Sequence, residues 1–497
     1  MDLGTIIVQV TAVIGGIAAL IAIFNGIYEL REKRQRRRAA SRESDTQHSP
    51  SPPPTLPASP PASETVPTDT RTQRRSNIGV QITRLIGREA ERLEVERLLL
   101  RPDVRLVTLT GPAGIGKTRL ALHVATGLRH HYSGGVFLVA LDAVTDPVLV
   151  PSKIAQVLDV REQGGQQLLD SLKDYLREKH MLLVLDNFEQ VVTASAVVAE
   201  LLAAAPRLQA LVTSREVLRL SGEHVFAVPP LALPDLERVP EGPELVPALT
   251  TYEAVRLFVE RASAAKAGFA LTSDNAVAVA GICNRLDGLP LAIELAAARV
   301  RLLSPPAILE RLVEAPGGSP LHLLTGGARD LPARQQTLRS TIGWSYDLLD
   351  QAERDLFDRL GVFAGGWTLE AAEAVADGMG VLDGLESLVD KSLVRQHEQD
   401  GDGRFTMLQT IREYAIERLE ATGQADGLRQ AHADFYLRFT EQAEPKFYGA
   451  TQVEWLKRVE TEHDNLRAAL DWTLAHREPV RALRLAGVLW RFWYARG

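Results

Sequence analysis

Residues 111–118 read Gly-Pro-Ala-Gly-Ile-Gly-Lys-Thr and fit the pattern G-x-x-x-x-G-K-[ST]. An apolar run at 104–110 precedes them, and a helical pattern at 119–128 follows. In this setting, glycine N–H groups surround phosphate oxygens, the helix N-terminus supports them, and the final Lys and Thr contact the β/γ-phosphates and Mg²⁺. The motif predicts a nucleoside triphosphate site with contacts from Gly111, Gly114, Ile115, Gly116, Lys117, Thr118 and Arg119.

From residue 85 onward, short apolar runs alternate with segments of helical length. The runs cover 104–110, 136–141, 181–185, 208–213 and 225–228. This alternation predicts an α/β fold with a largely parallel sheet. The third run leads directly into Asp186, and an acid at the carboxyl end of a buried strand can hold Mg²⁺ opposite Thr118. Thr118 and Asp186 are therefore the predicted metal ligands.

The order of five motifs resembles the NB-ARC, or AP-ATPase, members of the STAND class of signal-transducing NTPases. These motifs are Ile-Gly-Arg-Glu (86–89), the phosphate loop, Leu-Val-Leu-Asp-Asn (183–187), Val-Thr-Ser-Arg (212–215) and Gly-Leu-Pro-Leu-Ala (288–292). The resemblance implies that Ile86 and Arg88 line an adenine pocket and that Pro290 caps the nucleotide. It also implies that Arg215 reads the γ-phosphate, which makes Lys117, Asp186 and Arg215 the catalytic set.

Two positions depart from the family pattern. Asn187 stands where many relatives carry a second acid, and Glu189 is either the nearest substitute for a general base or a solvated helix residue. Met407-Leu408-Gln409 replaces Met-His-Asp, whose His contacts bound ADP in relatives. The resemblance thus implies a slow ATPase that works as a switch. ADP would hold a closed form, and ATP with Mg²⁺ would favour an open form that self-associates after an unidentified protein or ligand stimulus.

Pattern changes along the chain divide it into six expected parts. These are a transmembrane helix (1–30), a basic and then Pro/Ser/Thr-rich disordered linker (31–78), the nucleotide-binding domain (79–235), a helical domain (236–336), a winged helix (337–420) and an incomplete TPR-like helical segment (421–497). The winged helix is expected to carry its wing at 397–407.

The N-terminal segment at 3–28 has no charged residue and exceeds the roughly 20 apolar residues that span a bilayer. Basic residues follow it at 31–38, so the positive-inside rule predicts a single-pass protein with an external N-terminus and a cytoplasmic bulk. A buried core helix is the alternative, because Gln9, Thr11 and several glycines dilute the hydrophobicity. The tract at 41–76 is too polar and proline-rich to fold.

Composition narrows the choice of partners. The formal net charge of −7 argues against nucleic acid as the main partner, and no basic cluster marks a recognition helix. The single cysteine, Cys283, lies in a helical stretch and is expected to be a buried structural thiol. We therefore expect a membrane-anchored signalling ATPase that acts in stress or defence signalling. The alternative is a transcription regulator coupled to an ATPase.

Overall fold

The computed structural model describes residues 76–79, 83–162, 167–314, 320–324, 337–376, 380–399 and 402–496. All of them belong to one compact unit. The predicted transmembrane helix, and the linker as far as residue 75, lie outside the described residues. Within the ranges given above, no helix is both long and apolar enough to cross a membrane.

A five-stranded parallel sheet forms the centre of the nucleotide-binding part. Its strands are β1 (Leu106–Thr110), β2 (Gly135–Ala140), β3 (Met181–Asp186), β4 (Leu208–Thr213) and β5 (Glu223–Ala227). They are arranged in the order β2-β3-β4-β1-β5, and every neighbouring pair is parallel. The predicted parallel-sheet fold is confirmed. Because parallel strands end at one edge, the carboxyl ends of β1, β3 and β4 meet there.

Both faces of this sheet are covered, as a parallel sheet requires. In β4, Leu211 packs into one apolar core, whereas Ala210 and Val212 pack into a second core on the opposite face. The covering helices are α1 (Glu89–Leu99), α2 (Lys117–Gly127), α3 (Val150–Leu158), α4 (Leu168–Leu176) and α5 (Ser195–Ala204).

The last residues of the predicted linker are part of the folded unit. Ser76 forms an isolated parallel bridge with Val136. The Asn77 side chain donates to the Leu138 carbonyl at 2.8 Å and accepts from the Leu138 N–H at 2.7 Å. The prediction of disorder up to residue 78 is therefore wrong for 76–78, because Ser76 and Asn77 pair with the free edge of β2 and Ile78 is buried in the core.

A helical region follows the sheet. It contains α6 (Leu245–Thr250), α7 (Glu253–Ala265), α8 (Ser273–Arg285), α9 (Pro290–Ala298) and α10 (Pro305–Glu314). A capping box between Thr272 and Asn275 begins α8. Cys283 is fully buried in the same helix, and burial raises the pKa of its thiol. The prediction of a buried cysteine is confirmed.

The next region has the element order of a winged helix. Its elements are α11 (Leu338–Asp347), α12 (Gln351–Leu360), β6 (Gly366–Thr368), α13 (Leu369–Ala376), α14 (Val381–Asp390), β7 (Arg395–Gln399), β8 (Asp402–Thr406) and α15 (Gln409–Thr422). The strands pair antiparallel in the order β6-β8-β7, so the β7-β8 hairpin is the predicted wing.

Four further helices follow, namely α16 (Ala425–Ala443), α17 (Gln452–Thr461), α18 (His463–Ala475) and α19 (Pro479–Arg496). Leu466 and Leu485, from α18 and α19, pack with Tyr436 of α16 in the large apolar core that also includes winged-helix residues. The helices predicted for this segment are present. Their assignment to the TPR class stays a prediction.

Candidate nucleotide site

The phosphate loop connects β1 to α2 and has the backbone geometry that its glycines permit. Gly111, Gly114 and Gly116 have φ values of 143°, 78° and 96°, a region that L-residues with side chains rarely adopt. A Cβ added to Gly114 would lie 2.9 Å from the Cβ of Leu291. The loop is therefore both turned and closely covered, as a cradle for phosphate groups requires.

Lys117 is buried at the first turn of α2. Its Nζ donates to the carbonyl oxygens of Gly111 at 2.7 Å and Pro112 at 3.3 Å, so the ammonium lies across the loop. Burial is the main reason why the pKa of Lys117 falls to about 8; the Arg215 charge also lowers it, while Glu189 and Asp186 raise it. A bound phosphate group would act as the counter-ion of this ammonium.

Thr118 and Asp186 meet at the carboxyl edge of the sheet. The Thr118 hydroxyl donates to Oδ1 of Asp186 at 2.7 Å, and the Thr213 hydroxyl donates to the same oxygen at 2.5 Å. Burial raises the pKa of Asp186, and the two hydroxyl donors oppose that rise. A hydroxyl and a carboxylate are ligands that Mg²⁺ accepts, so the two predicted metal ligands fit the ion. Thr213 belongs to this cluster, although its motif gave it no role.

Arg215 follows β4 and lies between the sheet edge and the winged helix. Its Nε lies 3.0 Å from Oε1 of Glu189, and both side chains are buried. The guanidinium also donates to the Ser345 hydroxyl and lies over the ring of Trp344, both on α11. In addition, the hydroxyl of Ser392 donates to the Arg215 carbonyl at 2.6 Å. Arg215, the proposed γ-phosphate sensor, thus joins the nucleotide-binding part to the winged helix.

Glu189 is only 4% exposed, so its interpretation as a solvated helix residue is wrong. Its Oε1 accepts from Arg215, while Oε2 has no hydrogen-bond partner in the described structure. The preceding Asn187 has a left-handed backbone (φ 60°), and its side chain amide donates to Asp186 at 3.3 Å. This turn directs the chain back into the site, which the sequence did not indicate.

Ile86 and Arg88 lie just before α1, near the start of the nucleotide-binding domain. Ile86 lines a cavity of about 260 Å³ together with Arg84, Leu85, Thr250, Arg256, Val259 and Glu260. The Arg88 guanidinium donates to the Ile115 carbonyl at 3.2 Å and pairs with Glu91 at 2.8 Å. Arg88 therefore connects the phosphate loop to the start of α1. Ile86 contributes apolar surface to the wall of a cavity.

The helical region closes over the phosphate loop from the other side. The Leu291 N–H donates to the Gly114 carbonyl at 3.2 Å, and Pro290 approaches Gly116. Arg119 pairs with Glu294 at 3.2 Å and also donates to Thr83 at 2.9 Å. Pro290 thus lies beside the phosphate loop, and its role in capping the nucleotide stays a prediction. Arg119 joins the helical region to the segment before α1.

Asp287 occupies the region that connects the helical region to the winged helix. Its Oδ2 accepts from the Thr410 N–H at 3.1 Å and from the Thr410 hydroxyl at 3.3 Å. Thr410 lies one residue after Met407-Leu408-Gln409, and Gln409 turns its amide towards Glu413 at 3.2 Å. A carboxylate at this helix N-terminus thus holds α15, in a part of the chain where relatives carry Met-His-Asp.

Comparisons with known proteins agree with this geometry. The family model described as the NB-ARC domain matches residues 88–224, and the one described as the winged helix-turn-helix domain matches residues 349–420. The chain is 39% identical over 354 residues to "Uncharacterized protein Rv0894" of Mycobacterium tuberculosis, which covers 70% of this chain and 84% of that protein.

Two longer proteins are also similar. "Putative HTH-type transcriptional regulator Rv0890c" of Mycobacterium tuberculosis is 40% identical over 398 residues, covering 79% of this chain and 42% of its own length. "Regulatory protein AfsR" of Streptomyces coelicolor is 28% identical over 411 residues, covering 75% of this chain and 36% of its own length. The chain thus spans less than half the length of these two relatives.

Proposed function

We propose a function from one premise: the chain belongs to the NB-ARC family of STAND P-loop NTPases and carries a winged helix. It acts as a nucleotide-dependent switch that controls the position of this winged helix, and it serves as the regulatory ATPase module of a transcription regulator. The names of its longer relatives support the regulatory output. The contact of Arg215 with both the nucleotide site and α11 carries the switch.

The residues around the phosphate loop would hold ATP or ADP. Lys117 would exchange its two loop carbonyls for phosphate oxygens, and the loop N–H groups would donate to the remaining phosphate oxygens. Ile86, with Leu85 and Val259, gives the cavity an apolar part that would contact the base. Mg²⁺, held by Thr118 and Asp186, would neutralise part of the phosphate charge.

Arg215 distinguishes the two nucleotides in this proposal. In this structure the Arg215 guanidinium contacts the Glu189 carboxylate, the Ser345 hydroxyl and the face of the Trp344 ring. A γ-phosphate offers the same guanidinium a stronger, doubly charged partner, and ADP does not. A ligand shifts a two-state equilibrium only through its difference in affinity for the two states. The γ-phosphate would compete with Glu189 and α11 for Arg215, and this competition would supply the difference in affinity. It would also weaken the contact between Arg215 and α11.

The same arrangement favours slow hydrolysis. Asn187 cannot accept a proton from an attacking water, and the Glu189 carboxylate is engaged by Arg215. The Oε1 atom of Glu189 becomes available to a water only when Arg215 turns away from it. Slow turnover would let the bound ATP persist long enough to act as a signal.

The winged helix docks inside the protein instead of presenting a basic surface. Helix α14 follows α13 in the helix-turn-helix and is the candidate recognition helix, but it carries Asp383, Glu386 and Asp390 and no Lys or Arg. Asp390 pairs with Arg219 of the nucleotide-binding part. DNA phosphates would be repelled by α14. We therefore place any DNA contact of the complete regulator in another segment or subunit. The relatives' names also weigh against the expectation that nucleic acid is not a partner.

Two further proposals come from the sequence alone. Residues 3–28 would anchor the chain in a membrane with the N-terminus outside, and the ATP-bound form would self-associate in response to a stimulus. A tag at residue 1 that is accessible only from outside the cell would support the anchor, and a cytoplasmic tag would contradict it. Native mass spectrometry with ADP and with ATP would measure the self-association.

The test of the switch is a calorimetric titration of Arg215→Ala with ATP·Mg²⁺ and with ADP. We expect ADP affinity to be nearly unchanged and ATP affinity to fall by about tenfold or more, as expected for a lost charge-assisted contact. Arg207→Ala, an exposed arginine just before β4, is the matched control and should bind both nucleotides normally. Equal losses for ATP and ADP would show that Arg215 is structural and overturn the proposal.

A further inference from the structure

A cavity of about 230 Å³ lies between the winged helix and the C-terminal helices. Arg412 and Leu419 of α15, Arg429 and His432 of α16 and Trp472 of α18 contribute to its wall. Neither the phosphate loop nor the sheet edge takes part, so this cavity is separate from the nucleotide site. Its volume is below the roughly 300 Å³ at which most ligand pockets begin, which restricts an occupant to a small molecule.

The wall of the cavity is positively charged. Its charged side chains are Arg412 and Arg429, and no carboxylate contributes to the lining. His432 is buried, and burial lowers its pKa to about 4, so this ring is neutral at physiological pH. The remaining lining is mostly apolar. Such a wall would attract an anion and repel a cation.

Arg412 has no close counter-charge in the described part of the chain. Its Nε donates to the Phe363 carbonyl, and no described carboxylate lies within the 4 Å of an ion pair. Glu413 pairs with Arg285 at 2.7 Å instead. Burial is the main cause that lowers the pKa of Arg412 to about 10, although Glu413 and Asp464 favour the charged form from farther away. A partly buried charge of this kind gains stability when an anion approaches it.

Arg429 brings a second guanidinium to the same space. It pairs with Glu420 at 2.9 Å and with Asp426 at 4.0 Å, and these carboxylates are 56% and 76% exposed. Ion pairs with such exposed groups are weak, because water and salt screen them. Arg429 can therefore share its donors with an anion in the cavity. Trp472 also lines the cavity, and its indole N–H is buried without an acceptor in the described structure.

We propose that this cavity binds a small organic anion that carries a phosphate or carboxylate group. Arg412 and Arg429 would hold the anionic group with their planar sets of N–H donors, which match the geometry of phosphate and carboxylate oxygens. Leu419 and the Trp472 ring would cover the less polar part of the molecule.

The cavity is connected to the nucleotide site through α15. Arg412 lies two residues after Thr410, whose N–H and hydroxyl bind Asp287. Asp287 directly precedes Gly288-Leu289-Pro290, the segment that covers the phosphate loop. An anion that repositions α15 would change nucleotide affinity, and nucleotide would change anion affinity by the same factor. This coupling rests on the proposed function, whereas the binding itself does not.

The binding test uses the full chain with Lys117→Ala, which removes the phosphate loop as a competing anion site. Inorganic phosphate, glucose 6-phosphate and citrate are titrated at millimolar concentrations by calorimetry. We expect at least one of them to bind in a 1:1 ratio. Arg429→Gln should weaken that binding about tenfold or more, because charge-assisted hydrogen bonds are lost. This variant is chosen because Arg429 is 35% exposed, so the fold tolerates its replacement.

Arg438→Gln is the matched control, since Arg438 is an exposed arginine on the same helix, α16, outside the cavity wall. It should leave anion affinity unchanged. Binding that is absent for all three probes, or equally weakened by both variants, overturns the proposed site. A loss of the anion-dependent fluorescence change in Trp472→Phe supports it, because Trp472 lines the cavity.

The coupling is tested separately in the chain with an intact phosphate loop. We expect the bound anion to change ADP affinity, and Arg429→Gln to remove that change. If the anion binds through Arg429 but ADP affinity stays constant, the site stands and the link to the switch is contradicted.

Discussion

Arg215 lies over the ring of Trp344, with its guanidinium carbon 4.1 Å from the ring centre. The two residues belong to different domains: Arg215 follows a strand of the nucleotide-binding sheet, and Trp344 lies in the first helix of the winged helix. A cation-π contact of this kind contributes about 0.5–2 kcal/mol, and the hydrogen bond from the Arg215 guanidinium to the Ser345 hydroxyl joins the same two domains. The winged helix is thus held by the residue that is proposed to read the nucleotide.

The first prediction concerns the phosphate loop. Lys117→Ala should abolish or greatly weaken binding of both ATP and ADP, because it removes the ammonium that crosses the loop. Calorimetric titration measures the effect. Lys173→Ala is the control, since Lys173 is on the surface of α4 and pairs with Glu200. Unchanged nucleotide affinity in Lys117→Ala would contradict the assignment of the loop.

The second prediction is a pH dependence of nucleotide binding. In the free protein, burial lowers the pKa of Lys117 to about 8, and bound phosphate groups should raise it. Below pH 8 the ammonium is already charged, so binding takes up no proton there. Above pH 8 binding must take up a proton, and affinity therefore falls as pH rises.

Proton uptake is measured by titrating ADP at pH 7 and pH 9 in buffers with different ionisation enthalpies. We expect an uptake that approaches one proton at pH 9 and is close to zero at pH 7. An uptake that does not differ between the two pH values would show that Lys117 is not the group that meets the phosphates.

The third prediction is that Glu189 acts as the general base in the slow hydrolysis of ATP. Glu189→Gln should reduce ATP turnover by about 100-fold, which is the lower end of the contribution of a general base. ADP affinity should be retained, because Glu189 does not belong to the phosphate loop. Glu200→Gln, a change of a carboxylate on the surface of α5, should leave turnover unchanged. Normal turnover in Glu189→Gln would mean that another group activates the water.

Much of the sheet could be predicted from the sequence, because fully buried parallel strands are short apolar runs with clear ends. The run at 208–213 coincides with β4, and the run at 181–185 misses only Asp186 of β3. The phosphate loop could also be predicted, since its function depends on adjacent residues. The pairing of Ser76 and Asn77 with β2 was missed, because a short edge contact is hard to distinguish from the low-complexity tract before it.

The contacts between distant residues could not be predicted. Trp344 and Ser345 lie about 130 positions after Arg215, and nothing in their local pattern indicates that they meet a nucleotide sensor. Glu189 was ambiguous because the sequence does not show that Asn187 turns backward at φ 60°. Arg412 and Arg429 belong to separate helices, and only the packing of α15 against α16 brings them to one cavity.

The fourth prediction concerns DNA. The full chain should not retard a random DNA duplex at about 150 mM salt, because α14 is acidic and non-specific binding depends on positive charge. Glu386→Lys should leave nucleotide affinity unchanged, since Glu386 lies outside the nucleotide site. Retardation that is lost when α14 is altered would show that this helix contacts DNA after all.

The most direct test of the switch is a distance across the contact between the nucleotide-binding part and the winged helix. Arg219 and Asp390 pair there, and both are accessible enough for labelling as Arg219→Cys and Asp390→Cys, while the native Cys283 is buried. Pulsed electron paramagnetic resonance then measures the distance between two spin labels with ADP and with a non-hydrolysable ATP analogue and Mg²⁺. We predict a short distance with ADP and a longer one with the analogue, and no difference between the two nucleotides when Arg215→Ala is added. Identical distances with both nucleotides would contradict the account.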